Sequence, residues 1–416
     1  MSVLVIDGGK RLSGSVSVHG AKNSVLPILA ATILNKGRSV VKNCPSLKDV
    51  SSSINILRHL GCHVRREDDV VIVDSAPMNR FDIPDCLMRE MRSSVVFLGA
   101  ILGRCGEATM SYPGGCELGP RPIDLHLASL CELGAEILEE RGNLICKAGK
   151  LTGREINLSI PSVGATENVM LAASAAEGET VISNAAREPE IVDLQNFLNA
   201  MGAKVSGAGS SSIAIEGVRA LREAEHRIIP DRIVAATFLS AAAMAGGDVL
   251  VRDMIPTHIS TVVATLVEAG CDVTVGADSV RIRRDRPLRA IRPIRTMAYP
   301  GFPTDAQAPV MAATTRAEGT TVFVENIFEN RYRHVGELSR MGADIKVEGR
   351  VAVVCGVPKL YGAQLSSTDL RGGAAMIVAA LGAEGVSLIS GLSHIDRGYD
   401  GVEWRLTALG ADIERK

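Results

Sequence analysis

A thiol and a set of repeated cations are the groups in this chain that could do chemistry. Cys116 stands in the run Ser111-Tyr112-Pro113-Gly114-Gly115-Cys116-Glu117-Leu118-Gly119-Pro120-Arg121. Three glycines and two prolines mark that run as an exposed loop able to move. A thiol beside Arg121 has a lowered pKa and is reactive. The cations recur by position. Fourteen residues before Gly37, Gly106, Gly178, Gly246, Gly319 and Gly385 stand Asn23, Arg92, Gly164, Arg232, Asp305 and Arg371, with Lys22 one residue earlier than Asn23. Arg331 and Arg397 are both twelve residues past their glycines. These positions fall near predicted helix starts, where unpaired N–H groups and the helix dipole gather anions. Several such starts, each presenting Lys or Arg, would make a pocket for phosphate or carboxylate. His126 and His394 are weaker acid–base candidates, because a lone histidine is more often structural.

The elements that position these residues belong to a sixfold repeat. Its tag is Leu60-Gly61-Cys62, Leu133-Gly134-Ala135, Met201-Gly202-Ala203, Ala269-Gly270-Cys271, Met341-Gly342-Ala343 and Leu409-Gly410-Ala411. The tag glycines are 73, 68, 68, 72 and 68 residues apart. Each copy reads as an apolar helix, a glycine that stops it, a β-branched strand, a second helix closed by the tag, and two short strands. First helices are predicted over 23–34, 165–176 and 306–317, and second helices over 191–201 and 335–341. The gap from the helix-end glycine to the tag is 28 residues in copy two and 23 to 25 in the others. The extra residues fall in the Cys116 loop, and insertions in repeats map to loops on one face, often the binding face. Cys62 and Cys271 take the alanine place of the tag and are read as small core residues.

Composition narrows the function class. The chain has 416 residues, 46% hydrophobic and 22% charged, so it can bury a large core. Only 3% are aromatic, which argues against stacking platforms for single-stranded nucleic acid. A net charge of −2 leaves no global basic footprint, so no nucleic-acid partner is expected. No signal peptide and no membrane-spanning run is read. Nine cysteines without a Cys-x-x-Cys pair point to free thiols in a reducing cytoplasm, with no zinc site. There is no Walker loop, and Ile6-Asp7-Gly8-Gly9 is no dinucleotide fingerprint.

The whole chain resembles the UDP-N-acetylglucosamine 1-carboxyvinyltransferase family of enolpyruvyl transferases. The resemblance rests on Gly20-Ala21-Lys22-Asn23, Met91-Arg92-Ser93-Ser94, Pro113-Gly114-Gly115-Cys116, Arg121-Pro122-Ile123-Asp124-Leu125-His126 and Ser162-Val163-Gly164-Ala165-Thr166. It continues in Phe302-Pro303-Thr304-Asp305, Glu329-Asn330-Arg331, Thr368-Asp369-Leu370-Arg371 and His394-Ile395-Asp396-Arg397-Gly398-Tyr399. The resemblance implies an α/β fold, an inside-out α/β barrel in two domains of three repeats each. The domains would be 22–229, carrying the Cys116 loop, and 1–21 with 230–416, with the active site in the cleft between them. It implies enolpyruvyl transfer from phosphoenolpyruvate to UDP-N-acetylglucosamine, without cofactor or metal, in the cytoplasm, as the first committed step of peptidoglycan synthesis. Protein partners are not indicated. By resemblance Cys116 is the general acid and Asp305 the base at the sugar hydroxyl. Lys22, Arg121 and Arg397 would hold the phosphate, with Arg331 and Arg371 near the carboxylate or closing the cleft. Asn23 and Asp369 would position the sugar and the reacting proton. Arg92, Arg121, Pro122, Ile123, Asp124, Leu125, Ser162, Val163, Gly164, Asp305 and Ile327 would line the nucleotide-sugar site. The chain departs from some members in having Ile160-Pro161 where they carry a lysine. The related transferase acting on shikimate 3-phosphate lacks the cysteine loop and has a Gly-Asn-Ala-Gly-Thr run where Arg92-Ser93-Ser94 stands here. A non-catalytic paralogue that binds the nucleotide sugar is the other alternative.

Overall fold

The computed structural model describes residues 2–113 and 123–416. Cys116, Arg121 and Pro122 therefore lie outside the described residues. The described chain falls into two compact units, one of residues 20–113 with 123–229 and one of residues 2–19 with 230–416. Each has its own apolar core.

Among the described residues there are six four-stranded sheets, all of one mixed pattern. In the third copy Glu155–Asn157 runs parallel to Glu179–Ser183, which pairs antiparallel with Ser212–Glu216, which pairs antiparallel with Lys204–Ser206. Thr180 and Ile182 point to the core from the second of these, while alternate residues face outward. The chain returns on itself to complete each unit. Ala224–Arg227 supplies the parallel edge beside Arg38–Lys42. Leu12–Ser17 does the same beside Gly247–Arg252. Leu4–Asp7 lies between Val386–Ser390 and Asp412–Arg415, so the first strand of the chain belongs to the last copy.

The first helices are buried on every side, as expected of helices apolar all round. In Arg232–Ala245 every residue from Ile233 to Met244 is buried. It packs pairwise with Thr304–Thr314 and Leu370–Leu381. In the other unit Phe97–Cys105 packs on both Lys22–Ala31 and Val163–Ala173. Small residues make this close approach possible. A methyl built on Gly99 would stand 2.2 Å from the Asn168 carbonyl oxygen.

The tag is a helix-ending hydrogen-bond motif, repeated in all six copies. The glycine N–H bonds three residues back and the next N–H five residues back, as in Gly202 to Asn199 and Ala203 to Leu198, both at 2.9 Å. The six glycines have φ between +90° and +101°, a region that side chains with a Cβ avoid. The residue after the glycine packs near a leucine five back, Leu57, Leu130, Leu198, Leu266, Leu338 or Leu406, which is why Ala or Cys recurs there. Cys62 and Cys271 are buried in that role. The other landmark glycines differ from expectation. Only Gly106 and Gly246 cap their helices directly. Helices Val163–Ala173 and Thr304–Thr314 stop earlier, at Ser174 and Thr315, and Gly178 and Gly319 turn the chain into the next strand with φ of +86° and +105°.

Candidate active site

The C-terminal unit gathers four of the expected residues into one charged cluster. Asp305, second in its helix, accepts a hydrogen bond from Arg331 Nη2 at Oδ1 (2.6 Å) and from Arg371 Nη2 at Oδ2 (3.0 Å). Both guanidiniums are buried, while the Asp305 side chain is 27% exposed. Burial alone would raise the Asp305 pKa, but Arg371 and Arg331 outweigh it and hold the carboxyl far below the ordinary range. Arg371 is buried against its charge, and Asp305 more than offsets that, so its pKa is raised. Each arginine has a second anchor. Arg331 Nη2 donates to the Thr304 carbonyl at 3.1 Å. Arg371 Nη1 donates to Tyr399 Oη at 3.3 Å, and that hydroxyl is 2.8 Å from Thr237 Oγ1. Asp369 caps the helix Leu370–Leu381, its Oδ1 accepting from the N–H groups of Arg371 and Gly372. Arg397 lies in the turn between helices Leu392–Ile395 and Val402–Thr407. Ile327 is exposed, its N–H donating to Glu325 Oε1 at 2.9 Å.

The other unit holds the remaining described candidates. Lys22 and Asn23 open the helix Lys22–Ala31. Lys22 Nζ makes an ion pair of 2.8 Å with Asp49 Oδ2, their side chains 12% and 1% exposed. Arg92 starts the short helix Arg92–Val96. Ser162 caps Val163–Ala173, accepting from the Ala165 N–H at 3.4 Å, and Gly164 is second in that helix. Asp124 begins Asp124–Glu132, and Leu125 follows it. The Ile123 side chain is in the core, which leaves its backbone for any ligand contact.

His126 joins these helix starts from below. Its Nδ1 is 2.8 Å from Asn168 Nδ2, and the same amide nitrogen donates to the carbonyls of Val95 (3.1 Å) and Gly164 (3.3 Å). A methyl on Gly164 would stand 2.7 Å from His126 Cε1, so this helix start needs glycine. Burial, with Arg92 adding to it, pushes the His126 pKa down to about 4. The neutral imidazole thus accepts from Asn168 within this unit.

Sequence reasoning did not single out Asp49, Tyr399 as an anchor for Arg371, or His334. Asp49 and His334 had no signal beyond standing near a helix start; their burial follows from tertiary packing. Ile160, at the place of the missing lysine, is 60% exposed. Of the other thiols, Cys44 and Cys62 are pushed up to about 12 by burial, and Cys146 and Cys271 to about 11. Cys86, Cys105 and Cys131 are exposed. Among the described residues no group of three or more His, Cys, Asp or Glu is arranged to hold a metal, and no helix is long and apolar enough to cross a membrane.

Comparison with known proteins gives a consistent picture. Residues 6–406 match the family model described as EPSP synthase (3-phosphoshikimate 1-carboxyvinyltransferase). The chain is 53% identical to UDP-N-acetylglucosamine 1-carboxyvinyltransferase 2 of Caldanaerobacter subterraneus subsp. tengcongensis, with all of both chains covered. It is 48% identical to UDP-N-acetylglucosamine 1-carboxyvinyltransferase of Geobacter metallireducens, covering 100% of this chain and 99% of that one. Among solved structures, the enolpyruvyl transferase NikO from Streptomyces tendae superposes with a TM-score of 0.89 at 27% identity, over 100% of this chain and 99% of that one. EPSP synthase from Acinetobacter baumannii superposes at 0.76 with 21% identity over the same shares, a likeness of fold.

Proposed function

The chain belongs to the UDP-N-acetylglucosamine 1-carboxyvinyltransferase family of enolpyruvyl transferases, and from that premise we propose how its residues carry the reaction. The enolpyruvyl group of phosphoenolpyruvate passes to the 3-hydroxyl of UDP-N-acetylglucosamine. The sugar oxygen bonds to C2 of phosphoenolpyruvate while C3 takes a proton. C3 then gives a proton back, the bond from C2 to the phosphate oxygen breaks, and phosphate leaves. The observation that carries this reading is the full-length identity to relatives of that name, with Asp305, Arg331, Arg371 and Asp369 held in one cluster.

In this reading Asp305 is the base at the sugar hydroxyl. A carboxylate pinned by two guanidiniums is a weak base. Phosphoenolpyruvate resolves the conflict, because its carboxylate competes for Arg331 and Arg371 and leaves Asp305 more basic. Cys116 follows the same logic. Cations beside a thiol favour the thiolate, and an arriving anion restores its proton so that it can act as acid. Lys22, Arg121 and Arg397 take the phosphate. Asn23 and Asp369 position the sugar and the proton in transfer. Arg92, Pro122, Ile123, Asp124, Leu125, Ser162, Val163, Gly164 and Ile327 line the nucleotide-sugar site. Each unit is read as an inside-out barrel, its helices within and its sheets without, and the domains as 22–229 and 1–21 with 230–416.

The biological setting is peptidoglycan synthesis in the cytoplasm, and so cell shape and division, with sensitivity to fosfomycin at Cys116. Proton NMR of a mixture of enzyme, phosphoenolpyruvate and UDP-N-acetylglucosamine tests the reading. New vinyl signals of an enol ether on the sugar are expected to grow in step with inorganic phosphate. Saturable nucleotide-sugar binding with no vinyl product would instead support a non-catalytic binding protein.

A further inference from the structure

One buried polar group beside the charged cluster has no role in the reaction as proposed above. His334 is 1% exposed, in the turn just before the helix Val335–Arg340. Neither ring nitrogen makes a hydrogen bond of good geometry among the described residues, although the Arg331 backbone stands near enough to favour the protonated ring. Two of its neighbours share that condition at one atom each. Arg331 Nε and Asp369 Oδ2 are buried and without a partner among the described residues, although Arg331 Nη2 and Asp369 Oδ1 are both hydrogen-bonded. Arg331 stands three residues before His334 in the same turn. Asp369 meets it across Gly372, where a methyl would lie 2.6 Å from Asp369 Oδ2 and 3.0 Å from His334 Cβ. The three residues are at most 7% exposed.

The chemistry of these atoms is complementary. Arg331 Nε offers a donor, Asp369 Oδ2 an acceptor, and a neutral imidazole one of each. Burial, opposed by Asp369 and by the Arg331 backbone and reinforced by the Arg331 guanidinium, puts the His334 pKa at about 4, so the ring is neutral near pH 7. Buried polar atoms left unpaired are costly, and a water with two to four polar partners is the usual remedy. We propose that His334 is a positioning residue of the active site: with one enclosed water it joins Asp369 Oδ2 to Arg331 Nε, and so fixes the guanidinium that holds Asp305. The water accepts from Arg331 Nε and donates to Asp369 Oδ2, and the imidazole fills its remaining corner. The inference rests on the proposed roles of Asp305 and Asp369 in enolpyruvyl transfer.

His334→Leu removes donor and acceptor with little change in volume, and His334→Gln keeps one of each. With phosphoenolpyruvate and UDP-N-acetylglucosamine, His334→Leu is expected to lower kcat about 10- to 100-fold, the range of a lost hydrogen bond to charged groups. Its KM values should stay within about threefold, while His334→Gln should recover to within about threefold of wild-type kcat, both limits well inside that range. A merely structural residue would move melting temperature without this split or this rescue. His334→Leu with wild-type kcat, or His334→Gln as slow as His334→Leu, would overturn the inference while leaving the enzyme's reaction standing. A high-resolution crystal structure tests the water independently of turnover. It should place a water within about 3.2 Å of Asp369 Oδ2, Arg331 Nε and a His334 ring nitrogen. A dry site there overturns the inference even in a protein that proves inactive.

Discussion

Asp305 sits where two guanidiniums suppress its basicity, so the base role proposed for it depends on what arrives beside it. Asp305→Asn should leave the fold intact, since the amide oxygen still accepts from one arginine. The expected loss in kcat is ~10²–10⁴-fold, the usual contribution of a positioned base. KM for phosphoenolpyruvate should hold or fall, because Arg331 and Arg371 lose an anionic competitor. A kcat within about threefold of wild type, far from that range, would remove Asp305 from the chemistry. His126 makes a different prediction, on stability. Its folded pKa of about 4 is below the unfolded value of about 6.5. The unfolded chain therefore binds a proton that the folded chain refuses. The contribution is present above pH 6.5 and is lost as pH falls toward 4, by on the order of 3 kcal/mol at most. Urea unfolding at pH 7.5 and pH 5 should show the wild type losing stability that His126→Gln retains. Parallel losses in the two proteins would mean that another group sets the acid limb. At the thiols, fosfomycin should label Cys116 first, and prior UDP-N-acetylglucosamine should speed the labelling. Cys44, Cys62, Cys146 and Cys271 should stay silent, because burial keeps them as thiols. Peptide mapping that finds the label at exposed Cys86, Cys105 or Cys131, with Cys116 untouched, would put the reactive loop elsewhere.

The helix ends carry the repeat, and their glycines can be tested as elements. Gly202 has φ of +96°, and a methyl there would meet only the flexible Arg222 side chain, no closer than 3.7 Å. Gly202→Ala thus isolates backbone strain, expected to cost about 1–2 kcal/mol. Gly336, in the helix Val335–Arg340, has nothing within 4 Å of a built methyl and no positive φ. Gly336→Ala should stabilise by about 0.4–1 kcal/mol through the unfolded chain. Opposite shifts in denaturation midpoint are the expected signature, and equal shifts would show that the tag glycine is not chosen for its φ. This element was legible in the sequence because the motif is local: the glycine, the small residue after it and the leucine five back lie close together in the chain. The helix-end glycines misled for the same local reason. Two of them cap a helix, but Gly178 and Gly319 serve the turn that follows, and spacing alone does not separate the two uses.

Over the whole molecule, legibility tracked the range of the interactions involved. Asp305 and Arg371 stand out in the sequence because they recur at equivalent helix starts, and Arg331 by its count forward from Gly319. The place of Leu4–Asp7 in the last sheet depends on residues near 386 and 412, far away in the chain. His334 and Asp49 escape sequence reasoning because each is ordinary in the chain and becomes significant only when packing buries it against a charged partner. The same limit applies to acceptor choice, since the matched family model is described by shikimate chemistry while the relatives named above carry the nucleotide sugar in their names. Initial rates of phosphate release from phosphoenolpyruvate, measured with each acceptor alone, address that choice directly. Release should be rapid and saturable with UDP-N-acetylglucosamine and absent with shikimate 3-phosphate or with no acceptor; turnover with shikimate 3-phosphate, or none with the nucleotide sugar, would contradict the account.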